Sequence, residues 1–399
     1  MPGPMEGVKV VELGFWVAGP AAGGILADWG ADVVKVEPLD GDPFRGLAWF
    51  FGLDGANPPF ELDNRGKRSI ALDHGSDAGR QVLLELVGQS DVFVTNLRPT
   101  ALRRAGLDYE SLRDRFPRLI YASVTGYGLD GPDSHRPAFD VGAFWSRAGI
   151  ARSLVPEDQP LPMQRGGMGD HMTAMTAVAA IGTALYHREK TGEGQQVRTS
   201  LLRLGTYMIG WDTNINLRTG SPTVPYDRAA PPNAMINPYT TSDGRMFWML
   251  GLESERHWPA TVAALGHPEW EHDPRFATVE DRVVNTVELT AMMDATIAER
   301  TMAEWVEVFD AHDVWWSPVQ ATHENVTDPQ TRASGAFVEV PTGEGTTTTM
   351  VATPADFDGT PWQVRDMSPE LGQHTEIVLM ELGKDWDEIE ALKSQGVIN

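Results

Sequence analysis

Short apolar runs alternate with helical patterns over the first 130 residues. Short, mainly apolar segments typical of buried strands occur at 8–13, 33–36, 69–72, 91–94 and 120–124. Helical patterns lie between them, at about 20–29 and 77–87 and as a pair of helices before residue 120, and Gly30 is placed to end the first helix. Strands separated by helices predict a parallel sheet with right-handed crossovers, so the sequence indicates an α/β, Rossmann-like domain.

The pattern changes in the second half of the chain. Helices are predicted at 174–188 and 201–217, and the stretch 219–238 is rich in proline and asparagine, as in a linker. A hairpin turning at Asp243-Gly244 and helices at 255–265, 279–299 and 303–312 predict a second, smaller α/β domain. Strand character returns at 337–340 and 346–351, and two short helices are expected at 377–382 and 387–394.

Composition and charge narrow the classes of function. The 399 residues include no cysteine, which excludes a disulfide framework, a thiolate nucleophile and a thiolate metal site. The formal net charge of −24 argues against a nucleic-acid partner, because that binding needs clustered lysine and arginine. No signal-peptide pattern opens the sequence and no apolar run is long enough to span a bilayer. We therefore expect a cytoplasmic protein that does not bind membranes.

One glycine-dense segment runs directly into a long predicted helix. Residues 164–170, with the sequence Gln-Arg-Gly-Gly-Met-Gly-Asp, place Asp170 at the start of that helix. Such an aspartate is often only a helix cap. The same place also suits catalysis, because glycines allow a substrate to approach and the helix N-terminus stabilises negative charge. Both interpretations remain open on these residues alone.

Basic residues form two groups, the first around 65–68 and the second from Arg98 to Arg104. The second group follows Asn96 at the end of a predicted strand, where open parallel sheets bind ligands, so a phosphate-bearing ligand and a solvated helix face are both possible. A dinucleotide cofactor is not favoured, since the first turn, 14–20, lacks the G-x-G-x-x-G spacing. No metal-ligand spacing and no G-x-S-x-G motif occurs.

Taken together, the motifs resemble those of the family III CoA-transferases, the CaiB/BaiF group. The similar segments follow the order of that family and lie at 7–13, 18–20, 30–37, 64–73, 91–99, 122–128, 131–132, 169–170, 369–375 and 381–383. The resemblance implies an interlocked homodimer in which each subunit is a ring threaded through the other. It also implies a large Rossmann-like domain at 1–203 and 340–399, a small α/β domain at 228–325, and linkers at 204–227 and 326–339.

The resemblance further implies an enzyme that exchanges coenzyme A between an acyl-CoA and a carboxylic acid, without metal or ATP. Asp170 matches the family's catalytic aspartate, which forms an anhydride and then a CoA thioester, with backbone amides near 169–171 holding the oxyanion. Asp140 would orient the site. Matching positions expected to contact CoA are Val17, Ala18, Leu72, Asn96, Leu97, Ala101, Arg104, Arg136 and Phe139.

Differences between this sequence and related groups leave alternative functions open. α-Methylacyl-CoA racemases share the resemblance but carry a proton-transferring histidine where this chain has Phe139, which favours transfer, although His135 and His171 lie nearby. A non-catalytic acyl-CoA-binding protein is a third possibility, and the presence of Asp170 argues against it. The segment 230–237 lacks the glycine-rich loop of formyl-CoA transferases, which puts an oxalate-type substrate in question. His74 follows Asp73 where a phosphate-contacting lysine is common, so the CoA phosphates would rely on Arg104 and its neighbours.

Overall fold

A computed structural model describes residues 3–53, 55–343 and 345–399 and divides the chain into two compact units. The large unit comprises Met1–Ala151, Pro162–Pro222 and Ala333–Asn399, and the small unit comprises Arg152–Leu161 and Thr223–Arg332. The domain boundaries expected from the sequence stay predictions, although the return of the C-terminal segment to the large unit accords with them.

The strands of the described chain are β1 Lys9–Leu13, β2 Asp32–Glu37, β3 Arg68–Ala71, β4 Val92–Thr95, β5 Ile120–Thr125, β6 Gln195–Ser200, β7 Pro238–Thr240, β8 Met246–Met249, β9 Trp316–Pro318, β10 Phe337–Pro341 and β11 Thr347–Val351. The helices are α1 Ala18–Asp28, α2 Pro58–Asn64, α3 Asp77–Gly88, α4 Pro99–Ala105, α5 Tyr109–Leu112, α6 Ile150–Ser153, α7 Met168–Thr191, α8 Leu201–Met208, α9 Gly210–Thr219, α10 Ser254–Ala264, α11 Val279–Val284, α12 Thr286–Ile297, α13 Met302–Ala311, α14 Thr322–Asn325, α15 Pro329–Ala333, α16 Thr375–Glu381 and α17 Trp386–Ser394. Two 3₁₀ segments, Pro43–Phe51 and Pro268–His272, and a π-helix, Val141–Arg147, complete them.

The large unit is built on a parallel sheet of six strands in the order β3-β2-β1-β4-β5-β6. This order is that of dinucleotide-binding folds, and it confirms the predicted α/β sheet. Successive residues of β1 point to opposite faces, so Val10 packs towards α1 and α7 while Val11 packs towards α3. Because all six strands are parallel, the loops that follow them meet at one edge of the sheet.

The C-terminal segment completes the core of this unit. Val378 and Leu379 of α16 and Ile389 of α17 pack in the same cluster as α3 and the strands. Leu72, directly after β3, forms a β-bridge with Ile398. Both ends of the described chain therefore contribute to one core.

The small unit contains the antiparallel sheet β7-β8-β9 and a core of aromatic and apolar residues that includes side chains from β7, β8, α10, α12 and α13. The predicted hairpin is confirmed, since β7 and β8 are joined through Asp243-Gly244, and Gly244 adopts φ 76°. The single helix expected at 279–299 is wrong in detail: Asn285 separates α11 from α12.

Candidate active site

Asp170 lies in the first turn of α7, after the glycine-dense segment. Gly167 precedes this helix with φ 80°, a left-handed conformation that favours glycine. Gly169 packs directly against the ring of Phe144 in the π-helix, so that a Cβ atom at position 169 would overlap the ring. The glycines therefore bring the start of α7 close to the π-helix and leave Asp170 half-buried.

Asp140 stands immediately before the π-helix and its side chain is buried. Its Oδ2 accepts a hydrogen bond of 3.0 Å from the backbone N–H of Gly169. Burial raises the pKa of Asp140, while hydrogen bonds from the backbone of Gly169 and Asp170 and from the side chain of Gln164 oppose the rise. Asp140 thus fixes the start of α7 against the π-helix.

The backbone amides expected to hold an oxyanion already have acceptors. The amides of Gly169 and Asp170 bond to Asp140, and the N–H of His171 donates to the carbonyl of Gly167 at 2.9 Å. The expectation that backbone amides near 169–171 hold the oxyanion stays a prediction, and in this arrangement the buried Asp140 carboxylate competes for two of these amides.

The ionisation of Asp170 is strongly perturbed. Burial raises the pKa of Asp170 to about 7, the neighbouring charges of Asp140 and Asp63 add to the rise, and the charge of His171 opposes it. A carboxyl group with a pKa near neutrality changes its charge in the range where enzymes work, which is typical of functional sites.

His171, the next residue on α7, is held by a carboxylate from a distant part of the chain. Its Nε2 lies 2.9 Å from Oδ1 of Asp63, which is buried in α2. Burial opposes the charged imidazole, but the hydrogen bond to Asp63 and its charge outweigh this and raise the pKa of His171. Asp63 could not be identified from the sequence, because nothing in the local pattern distinguishes it from an ordinary helical aspartate.

A buried charge network lies under the loop between β1 and α1. Lys35 Nζ contacts Glu12 Oε1 at 3.0 Å and Asp42 Oδ2 at 2.9 Å, and it donates to the carbonyl of Gly14 at 3.1 Å. Lys67 Nζ lies 2.7 Å from Glu12 Oε2 and donates to the carbonyl of Pro20 at 2.7 Å. These ion pairs, absent from the sequence analysis, fix the first loop beside the site.

The basic residues around 65–68 form ion pairs within the fold. Besides Lys67, Arg65 is buried and pairs with Asp28 at 2.7 Å, and Arg68 pairs with Asp32 at 2.6 Å. In contrast, Arg98, Arg103 and Arg104 of the second group are exposed, and none of the three forms an ion pair within the described part of the chain. The second group is therefore the one whose charge is available to a ligand.

Several positions expected to contact CoA follow the strands at the carboxyl edge of the sheet. Val17 caps α1 and is half-buried, Ala18 is buried in its first turn, and Leu72 is fully buried in the core. The amide of Asn96 is occupied: Oδ1 accepts from the N–H of Phe15 at 3.0 Å and Nδ2 donates to the carbonyl of Phe15 at 2.7 Å. The side chains of Ala18 and Leu72 are buried and the amide of Asn96 is already hydrogen-bonded, so among these four only the side chain of Val17 is partly exposed and free of such a bond.

The remaining expected positions are more accessible. Leu97 is half-buried, and Ala101 and Arg104 are exposed on α4. Arg136 is exposed and pairs with Asp133 at 2.7 Å. Phe139 is 60% exposed and packs edge-on against Trp16, with ring centroids 5.5 Å apart.

Trp16 is a second residue that the sequence analysis did not single out. It adopts φ 66°, a conformation that is strained for a bulky side chain. Its backbone N–H donates to Asp42 Oδ1 at 3.2 Å, and its ring contacts Phe44 and Phe139. The buried charge network thus supports an aromatic pair directly beside Asp140, and strain of this kind is concentrated at functional sites.

Comparison with known proteins gives a consistent result. The model of CoA-transferase family III matches residues 5–375. The chain is 31% identical over 399 residues to (R)-2-hydroxy-4-methylpentanoate CoA-transferase of Clostridioides difficile, covering 99% of both chains. It is 34% identical over 390 residues to succinate–glutarate CoA-transferase of Agrobacterium fabrum, covering 95% of this chain and 96% of the relative. A solved CAIB/BAIF family protein from Brucella suis superposes with a TM-score of 0.83 at 31% identity, covering 96% of this chain and 100% of the other.

Proposed function

The chain belongs to CoA-transferase family III, and we propose on that basis that it transfers coenzyme A from an acyl-CoA thioester to a carboxylic acid through a covalent intermediate on Asp170. The observation that carries this assignment to Asp170 is its place: a half-buried carboxylate after a glycine-dense segment, with Asp140 fixing the backbone on either side of Gly169. Because the pKa of Asp170 is about 7, part of this carboxyl group is ionised, and therefore nucleophilic, near neutral pH, as this chemistry requires.

The proposed reaction exchanges one activated acyl bond for another. A carboxylate oxygen of Asp170 attacks the thioester carbonyl of the donor, and the C–S bond breaks to give a mixed anhydride and CoA thiolate. The thiolate attacks the aspartyl carbonyl of the anhydride, releasing the donor acid and leaving an aspartyl-CoA thioester. The acceptor carboxylate attacks that thioester, and the freed thiolate takes the new acyl group and restores Asp170. No net proton, electron or phosphate is consumed.

Asp140 would hold the catalytic segment in place without itself reacting. Its hydrogen bond to the N–H of Gly169 holds the first turn of α7, so the Asp170 side chain keeps one orientation through successive covalent states. Since the amides at 169–171 are already bonded, the oxyanion of each step would need either a donor outside this turn or a rearrangement of the Asp140 hydrogen bonds.

Coenzyme A would lie along the carboxyl edge of the large-unit sheet. Val17 and Ala18 would border its thiol end, and Leu97 and Ala101 would lie along the pantetheine. Arg104 on α4, which forms no ion pair with the residues that the structure describes, would supply charge for phosphate. Leu72 and Asn96 would shape the site through backbone and loop position, since their side chains are engaged in the fold. Arg136 and Phe139 would contact the ligand near Asp140. We assign this binding to a domain formed by 1–203 and 340–399.

The substrates proposed are an acyl-CoA donor and a free carboxylic acid acceptor. Relatives are named for a 2-hydroxy acid and for dicarboxylic acids, so acids of these classes form the first panel to test.

We also propose a homodimer. Helix α9 has no buried residue in the single chain, and Trp211, Ile215 and Leu217 on it are 89%, 49% and 75% exposed, which is an apolar surface typical of subunit contacts.

Trapping of the intermediate tests the proposal. The protein is incubated with acyl-CoA esters and hydroxylamine, and the mass of the peptide containing Asp170 is measured for the wild type and for Asp170→Asn. A hydroxamate on Asp170 in the wild type alone supports covalent transfer and identifies the donor. Asp77→Asn is a matched control, because Asp77 also lies in the first turn of a helix but is exposed.

Two results would contradict the transferase assignment. Exchange of the α-proton of an acyl-CoA in deuterated water, without any adduct, would favour a racemase. Tight binding of acyl-CoA with neither adduct nor exchange would favour a non-catalytic binding protein.

A further inference from the structure

A histidine lies beside the proposed nucleophile, held by a buried acid that the transfer steps do not use. Asp63 belongs to α2 and His171 to α7, and their side chains meet at 2.9 Å between Oδ1 and Nε2. The Asp63 side chain is 3% exposed, whereas that of His171 is 45% exposed. One end of the imidazole is therefore fixed inside the protein, and the rest of the ring reaches the surface of the site.

The ring also covers the glycine-dense segment. A Cβ atom at Gly167 would lie 3.2 Å from Cε1 of His171, closer than ordinary contact, and 3.5 Å from its Nδ1. The N–H of His171 donates to the carbonyl of Gly167 at 2.9 Å. The imidazole is thus held at Nε2 by Asp63, and its ring lies close to the backbone of Gly167, just before Asp170.

The charged groups around this pair define its electrostatics. Burial lowers the pKa of His171, whereas the hydrogen bond to Asp63 and the charges of Asp63 on α2, Asp170 on α7 and Asp140 before the π-helix raise it. Asp63 in turn faces His171 and the ammonium groups of Lys67 and Lys35. The charges of three carboxylates therefore act on one imidazole, which contacts Asp63 directly, and a cation at that point lowers the cost of ionising the three together.

We propose that His171, held by Asp63, is a positioning residue that keeps Asp170 in its ionised, nucleophilic form. This inference rests on the proposed function of Asp170. When Asp170 is acylated, its negative charge passes to the CoA thiolate in the anhydride stage and to the released carboxylate in the aspartyl-CoA thioester stage, so one anion is present at each stage for the imidazolium to stabilise. His171 transfers no proton in the reaction, which distinguishes this role from that of a racemase histidine.

The pH dependence of kcat/KM tests the role. In His171→Gln the glutamine can still bond to Asp63, but the cation is lost, so the pKa of Asp170 rises further above its usual value. The acid limb of the profile, near pH 7 in the wild type from the pKa of Asp170, should move up by about one pH unit, with roughly tenfold lower activity at pH 6.5 and similar activity above about pH 9. His171→Lys restores a cation and should return the limb towards that of the wild type.

Matched controls separate this role from a structural one. His187→Gln changes an exposed histidine on the same helix and should leave the profile unchanged. The pKa of His171 itself is measured by NMR of the imidazole, identified by its loss in His171→Gln. Replacing the buried anion in Asp63→Asn should lower that pKa by about one unit or more, whether or not the protein is a transferase.

The outcomes are distinguishable from failure of the proposed function. An unchanged acid limb in His171→Gln, with Asp170→Asn inactive, would overturn the role of His171 and leave the transferase intact. A His171 pKa that is insensitive to Asp63→Asn would also overturn it. Activity in Asp170→Asn would instead refute the proposed function, independently of the NMR titration.

Discussion

At the scale of single residues, the carboxyl group of Asp170 lies in an environment where its ionisation lowers the free energy of unfolding. Burial and the charge of Asp140 both disfavour the anion, and the pKa of about 7 expresses this. In the unfolded chain the same group ionises near pH 4. Between these values the folded state binds the proton that the unfolded state has lost, so stability falls as pH rises, and above about pH 7 the full cost is present.

Asp170→Asn should therefore be inactive and more stable. Because an amide carries no charge, we expect the variant to gain about 2 kcal/mol in the free energy of unfolding at pH 8, after allowing for partial exposure, and to gain almost nothing at pH 4. Urea unfolding of the wild type and the variant at the two pH values measures this. An equal gain at both would show that packing, and not ionisation, is responsible.

At the scale of elements, α1 approaches β1 closely because it contains glycine at a critical position. A Cβ atom at Gly23 of α1 would overlap the carboxylate of Glu12 on β1 and come within 3.2 Å of Lys67 Cε. Glu12 cannot move aside without losing its ion pairs with Lys35 and Lys67, all buried. Helix, strand and charge network are thus adjusted to one another.

Gly23→Ala should destabilise the large unit by about 2–4 kcal/mol, since it forces a rearrangement of buried charges. Gly182→Ala is the matched control: Gly182 lies inside α7, where a Cβ atom would make only an ordinary contact of 3.7 Å with Met5, and alanine should be neutral or slightly stabilising. Urea unfolding compares the two. Similar small effects for both would contradict the proposed rigidity of the network.

The elements also show what the sequence could and could not predict. The strands β1–β5 were predictable from their apolar runs, whereas β6, Gln-Gln-Val-Arg-Thr-Ser, is a polar edge strand without such a run. The interruption at Asn285 was not predicted, because the helical pattern continues on both sides of it. The pattern of apolar residues indicates which positions are buried. The edge strand β6 and the break at Asn285 depend instead on position in the sheet and on helix capping, which that pattern does not show.

The candidate site divides in the same way. The glycine-dense segment placed Asp170 at a helix start from local sequence alone. The pairing of His171 with Asp63 joins residues 108 apart, and the bond between Asn96 and the Phe15 backbone joins residues 81 apart. In both cases the tertiary fold brings a polar side chain to a partner far away in the sequence, so its role could not be inferred from the residues around it.

At the scale of the whole molecule, the arrangement of the chain bears on the proposed dimer. The large unit takes residues from both ends of the chain, with the β-bridge of Leu72 and Ile398 between them, while the small unit is formed by the middle. A core shared by the N-terminal and C-terminal parts of the chain is compatible with the threading of two subunits that the resemblance implies. If the rings are interlocked, the dimer cannot dissociate without opening the core that the C-terminal helices complete.

Subunit exchange should therefore be blocked under native conditions. Tagged and untagged dimers, mixed at low micromolar concentration and held for a day, should give no mixed dimer by affinity capture, although light scattering reports twice the chain mass throughout. Unfolding the mixture in urea and refolding it should produce mixed dimers, which is the positive control. Mixed dimers in the native sample would show that the subunits associate through surfaces such as α9 without threading, because an ordinary interface exchanges at its dissociation rate and an interlocked one exchanges only at its unfolding rate.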